Sequence, residues 1–409
     1  MDERPPIHGP AEPRFSRRRL LAGGLAGGLS LTALAAACGG SKAAPPQVGD
    51  AAWWGEQKAT PEVVFANWPL YIDYRNWLKS HPTLNAFSRD TGITVAYEEV
   101  IKNNEPFYQR IAPLLQHGRP TGYDLIVLTN GWQLTQLIQH HWLVPLDHSM
   151  IPNFARYASP LVKNPSYDPN NRFTVAWQSG FTGIAYDRQK ITRPITSIKD
   201  LWDPAFKNRV GMMSDNTDMG SAGLLYLGID PVSSTPDDWR RAAGVLRRQR
   251  DLGVVRRYYD QSYIDALQNG ETWISQAWSG DIFQARASGY GNLEFVVPEE
   301  GVMHWTDNLM IPMHAADPVN AMRLMNYYYT PKAAARVADW VNYITPVPDA
   351  QQVIADQFDD PSVARSPLVF PGPDIDAKAR SYRVFQNTGE FDSWNSTFNP
   401  IMQGLVGGA

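Results

Sequence analysis

Val63-Val64-Phe65-Ala66 is a run of β-branched and aromatic residues that Asn67 closes and Trp68-Pro69-Leu70-Tyr71 follows. Too short to hold one face of a helix and soon broken by a proline, it reads as a buried strand running into a loop. The same grammar recurs outward from it. Thr94-Val95-Ala96-Tyr97, Asp124-Leu125-Ile126-Val127-Leu128, Gly183-Ile184-Ala185-Tyr186, Val210-Gly211-Met212-Met213, Leu293-Glu294-Phe295-Val296-Val297 and Leu309-Met310-Ile311-Pro312 are further strands. Helices announce themselves by caps. Thr235-Pro236-Asp237-Asp238, Asp317-Pro318 and Thr330-Pro331 each set a capping side chain before a proline at the first helical position, where the missing N–H costs nothing. Strands alternating with helices place the chain in the α/β class.

The chain has 409 residues, 43% hydrophobic and 19% charged, with a formal net charge of −4. That composition can bury a full core. Once the N-terminal segment is set aside, roughly 350 residues remain, more than one hydrophobic core normally serves, so two domains are expected.

Ser16-Arg17-Arg18-Arg19-Leu20-Leu21 carries a twin-arginine pair, and Leu20 to Ala37 is an uncharged small-and-apolar run ending in Ala35-Ala36-Ala37 before Cys38. Four glycines at 23, 24, 27 and 28, and Gly39-Gly40-Ser41 in place of a charged stop-transfer flank, argue against a membrane span. The reading is a twin-arginine export signal, residues 1–37, that presents Cys38 for lipidation. Leu34 stands four residues before the cysteine, with Ala35 in the place a lipobox usually gives to leucine. Cys38 is the only cysteine, so no internal disulfide can form, and attachment explains its placement. The segment 38–60 is expected to be a Gly-, Ala- and Pro-rich tether. Without residues 1–37 the chain keeps 32 basic and 38 acidic residues, a net charge of −6, because the removed stretch holds five arginines and three acids. A mildly acidic exported body gives no support to nucleic-acid binding and suits cationic ligands. The arginines at 240, 241, 247, 248, 250, 256 and 257 read as a solvated face.

G-x-S-x-G, G-x-x-x-x-G-K-[ST], H-E-x-x-H and paired C-x-x-C signatures do not occur. His140-His141 and His304 lack ligand spacing, and neither a metal nor a cofactor is expected. What stands out is aromatics interleaved with carboxylates after strands. Trp68 and Tyr71 follow the first strand, Asp215 and Asp218 follow Val210 to Met213, Trp278 follows the run from Trp273 to Ala277, and Trp305 precedes Asp307 by two. In extended chain Trp305 and Asp307 face the same side, and in a first helical turn Asp215 and Asp218 are neighbours. Such pairs suit an alkylammonium ligand, whose charge the carboxylate accepts and whose methylenes the indole covers. Each member alone has a plainer reading: Ser214 and Asp215 as caps of a helix beginning near Asp218, Trp278 and Trp305 as core residues.

Eight stretches, in order, resemble the spermidine/putrescine-binding proteins of bacterial ABC importers. They are Asn67-Trp68-Pro69-Leu70-Tyr71, Tyr123-Asp124-Leu125-Ile126-Val127, Tyr167-Asp168-Pro169-Asn170-Asn171, Asp200-Leu201-Trp202-Asp203-Pro204-Ala205-Phe206-Lys207, Ala277-Trp278-Ser279-Gly280, Trp305-Thr306-Asp307-Asn308-Leu309, Tyr343-Ile344-Thr345-Pro346 and Phe385-Gln386-Asn387. The resemblance spans about Val63 to Gln386. It implies a two-lobed, type II periplasmic-binding-protein-like α/β fold, each lobe a mixed sheet flanked by helices, with the ligand cleft at the hinge. Lobe one is expected at 61–175 plus 307–345 and lobe two at 176–306 plus 346–405.

The resemblance also implies the pocket. Trp68 and Tyr71 match an aromatic pair lining the ligand, Asp215 and Asp218 two acids on one amine end, and Trp278, Trp305 and Tyr343 aromatic walls. Asp307 matches the acid on an inner amine and Gln386 a terminal-amine partner. Thr129 stands where the family often has serine, and Gly131 where many members have a tyrosine that shields the ligand, so the missing wall could admit a bulkier ligand. The implied protein is a monomeric, extracytoplasmic, lipid-anchored receptor, not an enzyme, that passes a polyamine to an ABC transporter permease. Rival readings are a receptor for another amine, an amino acid or a sugar, and a secreted glycoside hydrolase using Asp215 and Asp307 as its carboxylate pair.

Overall fold

Among the described residues ten strands form one sheet: β1 Glu62–Asn67, β2 Thr94–Glu99, β3 Leu125–Thr129, β4 Thr174–Asp187, β5 Val210–Met213, β6 Val255–Tyr259, β7 Ile274–Trp278, β8 Leu293–Val296, β9 Val302–Met310 and β10 Ala379–Arg380. The computed structural model describes residues 47–76 and 79–403. The strands run in the order β2-β1-β3-β9-β4-β7-β5-β6, with β10 beside β9 and β8 beside β4. β1, β2 and β3 are mutually parallel and meet β9 antiparallel; β5, β6 and β7 are mutually parallel and meet β4 antiparallel. Each half is thus a mixed sheet, and the two are joined through the antiparallel pair β4 and β9.

That pair is what the local sequence hid. Gly183–Tyr186 and Leu309–Pro312 are legible as strands, yet β4 has 14 residues and β9 has 9, and every one of them is buried. A strand buried on both faces does not alternate, so Gln178, Ser179, Thr182, Thr306 and Asn308 look like loop residues in the sequence while lying inside the sheet. Their register shifts between Ala176 and Gln178. The expected lobe boundaries, 175/176 and 306/307, fall within these two strands.

Helices begin where the caps indicated. Thr235 and Asp238 form a capping box on Pro236–Asp251, and Asp317 and Thr330 cap Pro318–Tyr328 and Pro331–Val341. On Pro236–Asp251, Trp239, Ala242, Ala243 and Leu246 face inward while Arg240 and Arg241 pair with Asp237 and Asp238 one turn back, and Arg247 and Arg248 are exposed. The helix Thr388–Met402 lies against Pro236–Asp251, with Trp394 between Trp239 (5.3 Å) and Phe398 (4.5 Å between ring centroids).

Several motif acids serve the scaffold. Asp124 accepts from Val64 N–H and from Asp317 N–H, each 2.8 Å, tying β1 to the start of Pro318–Tyr328. Asp168 is buried and accepts from the N–H groups of Arg172, Phe173 and Thr174. Asp200 and Asp203 share Arg193 at 2.7 and 2.6 Å.

One expectation needs correcting. The tether expected at 38–60 does not extend that far: Ala51–Glu56 is a helix capped by Asp50, and Trp54 on it is 7% exposed within the core. Thr60 N–H donates to Asp317 at 2.5 Å. An indole buried from water stabilises its own docking by a few kcal/mol, about the size of any other core tryptophan. The compact unit therefore begins at Gln47. The expected export signal, residues 1–37, and Cys38 lie outside the described residues.

Candidate functional site

Asp307 sits in β9, where its register partners are Thr129 on β3 and Gln178 on β4. One oxygen accepts from the Thr129 hydroxyl and the other from the Tyr71 hydroxyl, both at 2.6 Å. The side chain is buried, and burial pushes its carboxyl up to about 6 against the lowering effect of these two bonds. Two residues earlier on the same face, Trp305 packs its ring against Tyr343 at 5.2 Å. Gly180 across the ladder makes this possible, since a β-carbon there would lie 2.2 Å from the indole. Tyr343 also meets Tyr71 edge-on at 6.0 Å.

Asp218 lies in the first turn of Asn216–Tyr226, which begins three residues after β5 ends. It is buried, accepts a short bond from the Tyr382 hydroxyl, and lies 3.4 Å from the Trp278 indole Nε1. Burial, with the neighbouring Asp215 charge, pushes its carboxyl well up. Asp215 itself is exposed. One of its oxygens accepts from the N–H groups of Thr217 and Asp218 at 2.8 and 3.1 Å, so the capping alternative describes it, as the residue just before a helix that starts at Asn216.

Asp281, absent from the sequence-based set, connects the two centres. In the first turn of Ser279–Ala287 it is buried and accepts from the hydroxyls of Tyr263 and Tyr343, both at 2.8 Å. Tyr263 accepts the Trp278 N–H at 3.0 Å and meets the Trp278 ring edge-on at 6.1 Å. A β-carbon on Gly280 would stand 2.5 Å from the Tyr343 ring, so glycine at that helix start lets the tyrosine lie against it. Burial holds the Asp281 carboxyl above its ordinary range. The available signal was Trp278-Ser279-Gly280-Asp281, an aromatic and an acid three residues apart on one helical face.

Of the sequence-predicted residues, Tyr71, Thr129, Asp307, Trp305 and Tyr343 are joined by contacts around Asp307, while Trp278 and Asp218 are joined around Tyr263 and Tyr382. Trp68 is half-buried after β1, with its indole N–H unbonded. Gln386 is exposed, and its amide folds back on Val384 C=O at 3.1 Å. Gly131 begins the helix Trp132–Gln139, and a β-carbon there would meet only the Gln133 side chain, at 4.0 Å. His304 is buried beside Phe181, a packing position.

A mixed sheet whose halves meet at two long antiparallel strands, with a buried acid-and-aromatic cluster beside them, suits a solute receptor. Residues 83–371 match the model of the bacterial extracellular solute-binding proteins, and the chain belongs to that family. It is 28% identical over 317 residues to the spermidine/putrescine-binding periplasmic protein of Salmonella typhimurium, covering 77% of this chain and 86% of that one. It is 29% identical over 312 residues to the putrescine/agmatine-binding protein of Pseudomonas aeruginosa, covering 72% and 79%. Among solved structures it is similar to the spermidine/putrescine transporter substrate-binding protein of Streptococcus pneumoniae, with TM-score 0.72, 23% identity, and 84% and 98% of the two chains covered. A lipoprotein of Treponema pallidum gives TM-score 0.68 at 17% identity, covering 83% and 99%. The fold is that of the type II periplasmic binding proteins, and the protein is an extracytoplasmic solute-binding receptor. Among the described residues no helix is long and apolar enough to cross a membrane.

Proposed function

We propose that this receptor captures a polyamine, putrescine or spermidine, between the two halves of its sheet and hands it to the permease of an ABC importer without transforming it. One observation carries the reading. Asp218, Asp281 and Asp307 are buried together under aromatic rings, and among the described residues no lysine or arginine is bonded to any of them. Buried carboxylates without a counter-cation are costly, and a ligand that brings ammonium groups supplies what the chain withholds. The names of the relatives, which bind spermidine, putrescine or agmatine, support the same reading.

The energies suffice. Micromolar binding needs about 8 kcal/mol. Covering a four-carbon chain with Trp305, Trp278 and Tyr343 contributes roughly 3 kcal/mol, and each hydrogen bond to a charged group roughly 1.5–3. Asp307 would take one ammonium, with Thr129 and Tyr71 orienting it, and Asp218 the other. Half-buried Trp68 would cover the entrance to this path, and the exposed Asp215 and Gln386 would act at its rim. The working division into lobes is 61–175 with 307–345 and 176–306 with 346–405, closing as a hinge about β4 and β9 once ligand contacts from both sides stabilise the closed state. The protein is taken to be a monomer, exported by the twin-arginine signal and anchored through lipidated Cys38.

Titration calorimetry against putrescine, spermidine, spermine, γ-aminobutyrate and maltose tests this. Saturable binding of at least one polyamine with none of maltose is expected. Folded, ligand-free protein that binds no amine would refute it.

A further inference from the structure

Tyr382 belongs to none of the motifs above, yet it reaches the centre of the site. It follows β10, whose parallel pairing with Val302 and Met303 of β9 brings the chain beside the strand that carries Trp305 and Asp307. The side chain is 7% exposed, and its hydroxyl both donates to an Asp218 oxygen and lies 3.2 Å from the Thr182 hydroxyl on β4. The second Asp218 oxygen lies 3.4 Å from the Trp278 indole, a weak contact that leaves its lone pairs available.

We propose that Tyr382 is the positioning residue of the amine site: it clamps one oxygen of Asp218 so that the other is presented, ionised, to the ligand's ammonium group. The inference rests on the polyamine reading above. A hydrogen bond donated to a carboxylate favours the charged form, and it does so most where water is absent. Of the other groups facing Asp218, Asp215 at the cap of the same helix carries like charge, Thr182 on β4 and Trp278 on β7 (3.4 Å) are neutral donors that act in the same sense as Tyr382 but more weakly, and Gln276 on β7 donates to the Asp218 main-chain carbonyl, not to its carboxylate. Without the tyrosine hydroxyl the carboxyl keeps its proton to higher pH, and a protonated acid neither attracts nor accepts from an ammonium. A structural role for Tyr382 predicts no such pH signature, because Phe keeps the ring and its packing.

The test is Tyr382→Phe in the full chain, with two readouts. Aspartate 13C NMR titration of the ligand-free protein should show the Asp218 transition about one pH unit higher than in the wild type, the size expected of a hydrogen bond to a charged group. Calorimetry with putrescine should show affinity lowered about tenfold at pH 6.5 and recovering to within about threefold by pH 8.5. An unmoved Asp218 transition, or weakening by the same factor at every pH, overturns the proposal. The NMR readout needs no ligand, so it decides the role of Tyr382 even if the wild type binds no polyamine, an outcome that would instead sink the polyamine reading.

Discussion

Replacing Asp307 by Asn removes a charge and keeps the shape, but it leaves one acceptor oxygen where the carboxylate offers two, so only one of the Thr129 and Tyr71 hydroxyls can go on donating to it. The carboxylate is buried and already holds both hydroxyls at 2.6 Å, so an ammonium would be its third partner and its only cationic one. A hydrogen bond to a charged group is worth roughly 1.5–3 kcal/mol, which places the loss of putrescine affinity at roughly ten- to a hundredfold at pH 8. Burial has raised the carboxyl from 3.8 to about 6, so the wild-type side chain is charged at pH 8 and mostly neutral at pH 5. The gap between wild type and variant should therefore shrink by about tenfold over that interval, as measured by calorimetry at pH 5, 6, 7 and 8.

Stability moves the other way. A carboxyl whose folded pKa lies above its unfolded one stabilises the fold below the unfolded value and loses that contribution as pH rises through the folded value. From 3.8 to about 6 the ligand-free wild type forfeits about 3 kcal/mol that the Asn variant keeps. Ligand-free Asp307→Asn should accordingly melt higher than wild type at pH 8 and no higher at pH 4. A folded variant with wild-type affinity, or with an affinity gap constant from pH 5 to 8, would refute the reasoning.

Trp132, on the helix after β3, stacks on Phe391 at 4.8 Å, and Gln139 on that helix donates to Gln386 C=O at 3.0 Å, linking the β1–β3 half to the C-terminal helix. If the halves close on ligand, Trp132→Ala should weaken polyamine binding by roughly two- to tenfold, the worth of one aromatic pair, without contacting the ligand; unchanged affinity by calorimetry would count against closure there. Gly180→Ala places a methyl 2.2 Å from the Trp305 ring and should displace that wall, lowering affinity and shifting tryptophan emission, whereas unaltered emission and affinity would show that the strand yields instead. Trp54→Ala should lower the urea midpoint by the equivalent of about 3 kcal/mol, with ligand affinity preserved, if the Ala51–Glu56 helix unfolds with the body; an unchanged midpoint would show that it frays independently.

Much of this protein is local. Caps at Asp317 and Thr330, the apolar runs of β1, β3 and β5, and the exposed arginines 240, 241, 247 and 248 follow from short-range chemistry, and the chain determines them within a few residues. So does the pairing of Trp305 with Asp307, because residues two apart share a face of any extended strand. Tertiary structure decided what local pattern cannot carry. β4 and β9 are buried on both faces and lose the alternation that marks a strand, so their polar residues hid the two strands that join the halves of the sheet. Trp53 and Trp54 looked like tether until a core was there to receive them. Asp215 and Asp218 are equivalent in sequence, and only the helix direction set one at the exposed cap and the other beneath Trp278. Tyr382 and Asp281 meet the site across 164 and 62 residues of chain, at Asp218 and Tyr343 respectively, and contacts of that range exist only once the sheet has folded.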